Sequence, residues 1–120
     1  MSTRVLVADD SSTMRKIILR SLSAVGVPSA IEAGDGEEAL NAFKPGEFDL
    51  VLTDWNMPRK NGLELVQEIR KQDSNVTIIM VTTEAEKSRV LEAIQAGVSD
   101  YLVKPFTADT LREKLEKHGC

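Results

Sequence analysis

The chain has too little of several things to belong to many specialised classes. It carries one cysteine, Cys120. No disulfide can form within the chain, and no cysteine-based zinc site can be built. Such usage fits a reducing cytoplasm, where a cysteine at the end of the chain reads as incidental. No apolar stretch approaches the roughly 20 residues of a membrane-spanning helix, so no membrane partner is expected. The start, Met1-Ser2-Thr3-Arg4, offers no apolar leader, and no secretory signal is expected. Lys and Arg form no block: 15 of them face 19 Asp and Glu, for a formal net charge of -4. Binding to phosphate backbones needs clustered cations, so no nucleic-acid partner is expected. Repeats, linkers and low-complexity segments are also missing.

What remains is an ordinary globular composition, 42% hydrophobic and 28% charged over 120 residues. That length suits one domain, expected over residues 1–120 with no separate output domain. No coiled-coil pattern is visible, and a monomer is expected.

Short apolar runs alternate with helical patterns. Val5–Ala8, Ser29–Ala33, Leu50–Thr53, Val76–Val81 and Tyr101–Val103 read as strands. Between them, Met14, Ile17, Ile18, Leu22 and Val25 recur at helical spacing and end at Gly26. Ala39, Leu40 and Phe43 mark a second, shorter helix. Leu63, Val66 and Ile69 give a third face, with Leu65 beside it. Ala85, Val90, Leu91 and Ile94 give a fourth, ending at Gly97, and Leu111 and Leu115 a fifth, starting after Thr107. Five strands alternating with five helices predict an α/β domain with a parallel sheet. The strand runs lack strict alternation, which fits a sheet covered on both faces.

Polar residues collect where these strands end. The first run leads into Asp9-Asp10, the third into Asp54, the fourth into Thr82 and the fifth into Lys104. In a parallel sheet those ends share one edge, and open α/β folds bind ligands at that edge. Three carboxylates in one crevice repel one another and raise each other's pKa. A divalent cation relieves this, and oxygen ligands without Cys or His point to Mg²⁺. Together Mg²⁺ and Lys104 balance the three negative charges. Lys104 and the Thr82 hydroxyl could then hold phosphoryl oxygens, with Asp54 as nucleophile.

Each residue alone has a plainer role. An Asp pair after a strand is commonly a turn or an N-cap. Lys104-Pro105 alone is a turn, and Thr82 or its neighbour Thr83 alone is a helix cap. Trp55 alone reads as a half-buried aromatic, and His118 as a solvated helix-end residue. The case for chemistry rests on the joint pattern, which places every element at a strand end.

These residues carry a resemblance. Asp9-Asp10, Asp54, Thr82 and Lys104-Pro105 resemble the signature of the response-regulator receiver domain. The match runs from about Arg4 to about Glu116. The stretches Ser11-Ser12-Thr13-Met14-Arg15, Asp54-Trp55-Asn56-Met57-Pro58 and Gly62-Leu63-Glu64-Leu65 are similar to its CheY-like chemotaxis branch, as is Lys104-Pro105-Phe106-Thr107. The resemblance implies a doubly wound, flavodoxin-like three-layer sandwich with strand order 2-1-3-4-5. It implies that Asp54 accepts phosphate from a phosphohistidine on a sensor histidine kinase (CheA-like). Asp9, Asp10, Asp54 and the backbone carbonyl of Asn56 would hold Mg²⁺, with Asp10 as a direct ligand. Lys104 would contact the phosphoryl group. Thr82 would shift toward it, and Tyr101 would turn into the vacated space. Asn56 and Glu84 would modulate attack by water. Lys104–Pro105 is expected to be cis. The output would be a surface of the fourth helix, fifth strand and fifth helix. A flagellar motor switch protein or a phosphatase would be among its partners.

The sequence departs from enteric members of the branch in places. Ser11 replaces an aromatic after the Asp pair, and Asn61 an acidic residue before Gly62. Glu86-Lys87-Ser88-Arg89 stands where the branch has a lysine pair, which leaves the downstream partner open. A phosphorelay intermediate or phosphate sink is an alternative within the family. An aspartate-nucleophile phosphohydrolase is one outside it, although Asp54-Trp55-Asn56 lacks the second Asp such enzymes usually show. A flavin-binding domain of similar fold would suffer repulsion between Asp9-Asp10 and the flavin phosphate.

Overall fold

The computed structural model describes residues 3–83 and 87–120. Five strands, β1 (Val5–Ala8), β2 (Ile31–Ala33), β3 (Leu50–Thr53), β4 (Thr77–Thr82) and β5 (Asp100–Val103), form one parallel sheet in the order β2-β1-β3-β4-β5. The helices between them are α1 (Ser12–Ala24), α2 (Gly36–Ala42), α3 (Gly62–Gln72), α4 (Lys87–Ala96) and α5 (Ala108–Lys117). The expected architecture and strand order are both present.

Strand alternation divides the core in two. Val5, Val7, Leu50, Leu52, Ile79 and Val81 face Ile18 and Leu22 of α1 and Leu111 and Leu115 of α5. Leu6, Ala8, Val51, Ile78 and Met80 face Ala39 of α2, Leu65, Val66 and Ile69 of α3 and Ala93 of α4. β1, β3 and β4 lack polar alternation because both of their faces are buried.

Several boundaries and faces differ from expectation. The second strand starts at Ile31, not Ser29. It lies at the sheet edge, where only one neighbour can hold the chain, just after Pro28. In α3, Leu65 is fully buried and Leu63 only partly. In α1, Ile17 is exposed, while Ile18 and Leu22 face the core. Among the described residues of α4 the buried one is Ala93; Leu91 and Ile94 are 50% and 55% exposed. Ala85, assigned to this helix from sequence, lies outside the described residues.

Helix starts follow side-chain chemistry. Ser11, Asp35, Asn61 and Thr107 cap α1, α2, α3 and α5, each accepting a backbone N–H three residues on. Asn61 forms a reciprocal capping box with Glu64. Asn61, one of the departures from the branch, thus fixes the start of α3.

Candidate functional site

The first and third strands are neighbours, with Ala8 opposite Thr53. Asp9 and Asp54 follow these two residues directly. The Asp54 N–H donates to the Ala8 carbonyl at 2.9 Å, extending the ladder by one rung. β1 is paired with β2 on one side and β3 on the other, so strand order reverses here and the crevice opens. Carboxylate oxygens of Asp9, Asp10 and Asp54 all lie within 4.8 Å of one another.

Their environments differ. Asp9 is 1% exposed, Asp54 is partly buried and Asp10 is open to solvent. Asp9 Oδ1 accepts the Ser11 N–H at 2.9 Å, and Oδ2 meets Lys104 Nζ at 2.8 Å. Asp54 Oδ1 accepts the Trp55 N–H at 2.7 Å, and Oδ2 lies 3.4 Å from Lys104 Nζ. Lys104 therefore reaches across from the end of β5 and stands between two carboxylates. Its own N–H donates to the Thr82 carbonyl at 3.0 Å, which ties the ends of β4 and β5 together. Thr82 is 1% exposed. The Lys104–Pro105 bond is cis, as expected.

Burial is the main influence raising the Asp54 pKa above its ordinary value. Lys104 opposes it, Asp9 adds to it, and the Trp55 N–H opposes it. The donor set suits a hard divalent cation: three carboxylates, with no sulfur or nitrogen ligand among them. Asp9, Asp10 and Asp54 are the residues that would hold such an ion.

The backbone around Asp54 leaves no slack. The Gly62 N–H donates to the Trp55 carbonyl at 2.7 Å. A Cβ on Gly62 would fall 2.0 Å from the Asp54 carbonyl oxygen, so α3 begins directly against the Asp54 backbone. Asn56, two residues beyond Asp54, is exposed. Tyr101 packs against the α2–α4 side of the core, and its hydroxyl is shielded from solvent. Glu84 lies outside the described residues.

Three contacts had no clear signal in the sequence. Arg15 donates to the Asp9 carbonyl and pairs with Glu32 at 3.1 Å, bracing the acidic turn from α1. Trp55 is 3% exposed rather than half-buried, and the Arg89 guanidinium lies 5.1 Å from the centre of its ring. His118, read as solvated, is partly buried, with Nε2 2.9 Å from Asp100 Oδ2. Arg15 falls inside a motif and could have been flagged. Arg89 and Asp100 show their partners only once distant segments pack.

Comparisons agree with this geometry. The family model for the response regulator receiver domain matches residues 5–116. The chain is 47% identical to chemotaxis protein CheY-3 of Vibrio cholerae, over 95% of this chain and 89% of that one. It is 45% identical to the chemotaxis protein CheY of Pseudomonas aeruginosa, over 95% and 94%. The crystal structure of Vibrio cholerae CheY4 at low pH is similar in fold, with a TM-score of 0.87 and 35% identity, covering 98% of each chain. With the acidic crevice, the bridging Lys104 and the strand order all in place, the chain belongs to the family of response regulator receiver domains, in its CheY-like branch.

Proposed function

We propose that this chain is a phosphorylation switch of a two-component pathway that takes a phosphoryl group on Asp54. The observation that carries this reading is Lys104 Nζ held between Asp9 and Asp54 in a crevice of three carboxylates. An Asp54 carboxylate oxygen attacks the phosphorus of a phosphohistidine on a sensor histidine kinase. The new P–O bond forms as the P–N bond breaks, and the departing imidazole nitrogen keeps the electron pair and takes a proton. Lys104 stabilises charge on the transferred oxygens, and Thr82, buried at the end of β4, would turn its hydroxyl to donate to one of them. Asp9, Asp10, Asp54 and the Asn56 backbone carbonyl would hold Mg²⁺, which when bound neutralises the carboxylates and the incoming phosphoryl charge. Asn56 and Glu84 govern access of the water that later hydrolyses the acyl phosphate, so the chain would load and unload itself.

Phosphorylation adds about -1.5 to -2 charge and three acceptor oxygens. Movement of Thr82 toward them and repacking of Tyr101 would bias the surface of α4, β5 and α5 between two states. That surface exposes Leu91, Ile94 and Val103, apolar groups suited to a protein target. The chemotaxis proteins among its relatives support a role in chemotaxis; the chain would then work in the cytoplasm, with a CheA-like kinase upstream and a flagellar motor switch protein or phosphatase downstream. No helix among the described residues is long and apolar enough to cross a membrane.

Trp55 fluorescence tests the reading. Titration with Mg²⁺ and then a small acyl phosphate should give two saturable changes, the second lost in Asp54→Ala. Absence of any Mg²⁺ response, checked by calorimetry, would overturn the reading at its first step.

A further inference from the structure

Trp55 is fixed on every side. Its N–H holds the Asp54 carboxylate at 2.7 Å, and its carbonyl accepts from Gly62 at the start of α3 at 2.7 Å. Its ring is buried in the α2–α4 side of the core. The Arg89 guanidinium, in the first turn of α4, sits over the ring face at 5.1 Å from the centroid. Arg89 and the buried Ala93 are four residues apart and share the inward face of α4. Leu91 and Ile94 stand on its outward face.

We propose that Arg89 is a positioning residue that couples the phosphoacceptor segment to α4 through the face of Trp55. The route runs through Arg89 and Trp55, and it rests on phosphorylation at Asp54. A cation over an aromatic face is held by the ring's quadrupole, most strongly by Trp. The contact orients the first turn of α4, and with it Leu91 and Ile94. Extra negative charge on Asp54, one residue from the ring, attracts the guanidinium further and tightens this seat. An exposed arginine on the output helix thereby senses the acceptor without touching it.

The test compares the intact parent chain with Arg89→Ala, Arg89→Lys and Arg89→Met. In the unphosphorylated proteins, amide hydrogen exchange across residues 90–96 should quicken about three- to fivefold in Arg89→Ala, the loss expected for one cation–π contact. Trp55 emission should shift with it. Arg89→Lys should keep most of both signals, and Arg89→Met should keep neither. With Mg²⁺ and a small acyl phosphate, Arg89→Ala should still take label at Asp54, while its donor-dependent emission change falls below half. Unchanged exchange and emission in Arg89→Ala would overturn the coupling, as would full rescue by Met. If the parent itself takes no label, the proposed function fails, whereas the exchange and emission comparison still decides whether Arg89 seats α4.

Discussion

Lys104 binds Asp9 more closely than it binds Asp54: Nζ lies 2.8 Å from Asp9 Oδ2 and 3.4 Å from Asp54 Oδ2. Both ends of the Asp9 pair are largely buried, with side chains 11% and 1% exposed. Lys104 thus offsets part of the crevice's negative charge from within. Removing one partner of such a pair strands the other charge. Lys104→Ala should therefore lose about 3 kcal/mol or more in metal-free buffer. Mg²⁺ should restore part of that loss, because it supplies the missing positive charge. Denaturant unfolding with and without Mg²⁺ checks both halves.

The carboxylate of Asp54 works against the fold. Burial raises its pKa above the ordinary value, Lys104 only partly offsetting it. The folded chain then holds this proton more tightly than the unfolded chain does. Stability from this group is greatest at acid pH and falls as pH rises through the raised value. Asp54→Asn should consequently be more stable than the parent at neutral pH. The advantage should shrink toward zero as pH drops below about 4, where both states are protonated. Unfolding curves over that range test the sign.

Asp100 behaves in the opposite way. Burial alone would raise its pKa, but hydrogen bonds from His118, Lys114 and the Tyr101 N–H outweigh it and bring the carboxyl down to about 2. The bonds from Lys114 and His118 are both 2.9 Å, and they pin α5 to the start of β5. Stability from this carboxylate is present above the unfolded value near pH 4 and is lost as pH falls toward about 2. Asp100→Asn should cost about 1–2 kcal/mol at pH 7 and almost nothing at the acid end. Comparing unfolding free energies at the two pH values decides it.

Gly62 is the tightest glycine at the site. A Cβ there would fall 2.0 Å from the Asp54 carbonyl oxygen, and backbone cannot retreat as a side-chain tip can. Gly62→Ala should cost about 1–3 kcal/mol through overpacking. It should also displace Asp54 and, under the proposed function, slow phosphoryl uptake. Unfolding together with a labelling time course reads both effects.

The legible parts of this molecule were those set by local pattern. Val5–Ala8 and Leu50–Thr53 are apolar on both faces, so their burial and the parallel sheet follow from residue type alone. Asp9, Asp54 and Lys104 were legible as a group because each directly follows a strand. What escaped depends on packing between segments far apart in sequence. Leu91 and Ile94 look like core residues by spacing, yet the small Ala93 and Ala96 are what this helix packs against the core. Trp55 looked half-buried beside polar neighbours, yet strand alternation carries it inward past Asp54. The Asp100 ion pairs join residues 14 and 18 positions apart, across a loop and a helix whose relative angle no spacing rule supplies.

The most direct test of the account is the intact mass of the chain after incubation with Mg²⁺ and a small acyl phosphate, followed by mapping of the modified residue. The account predicts one added phosphoryl group per chain, located on Asp54. That group should be absent in Asp54→Ala and absent when Mg²⁺ is chelated. Label on another residue, label that ignores Mg²⁺, or continued turnover of a generic phosphate ester without a loaded chain would contradict it.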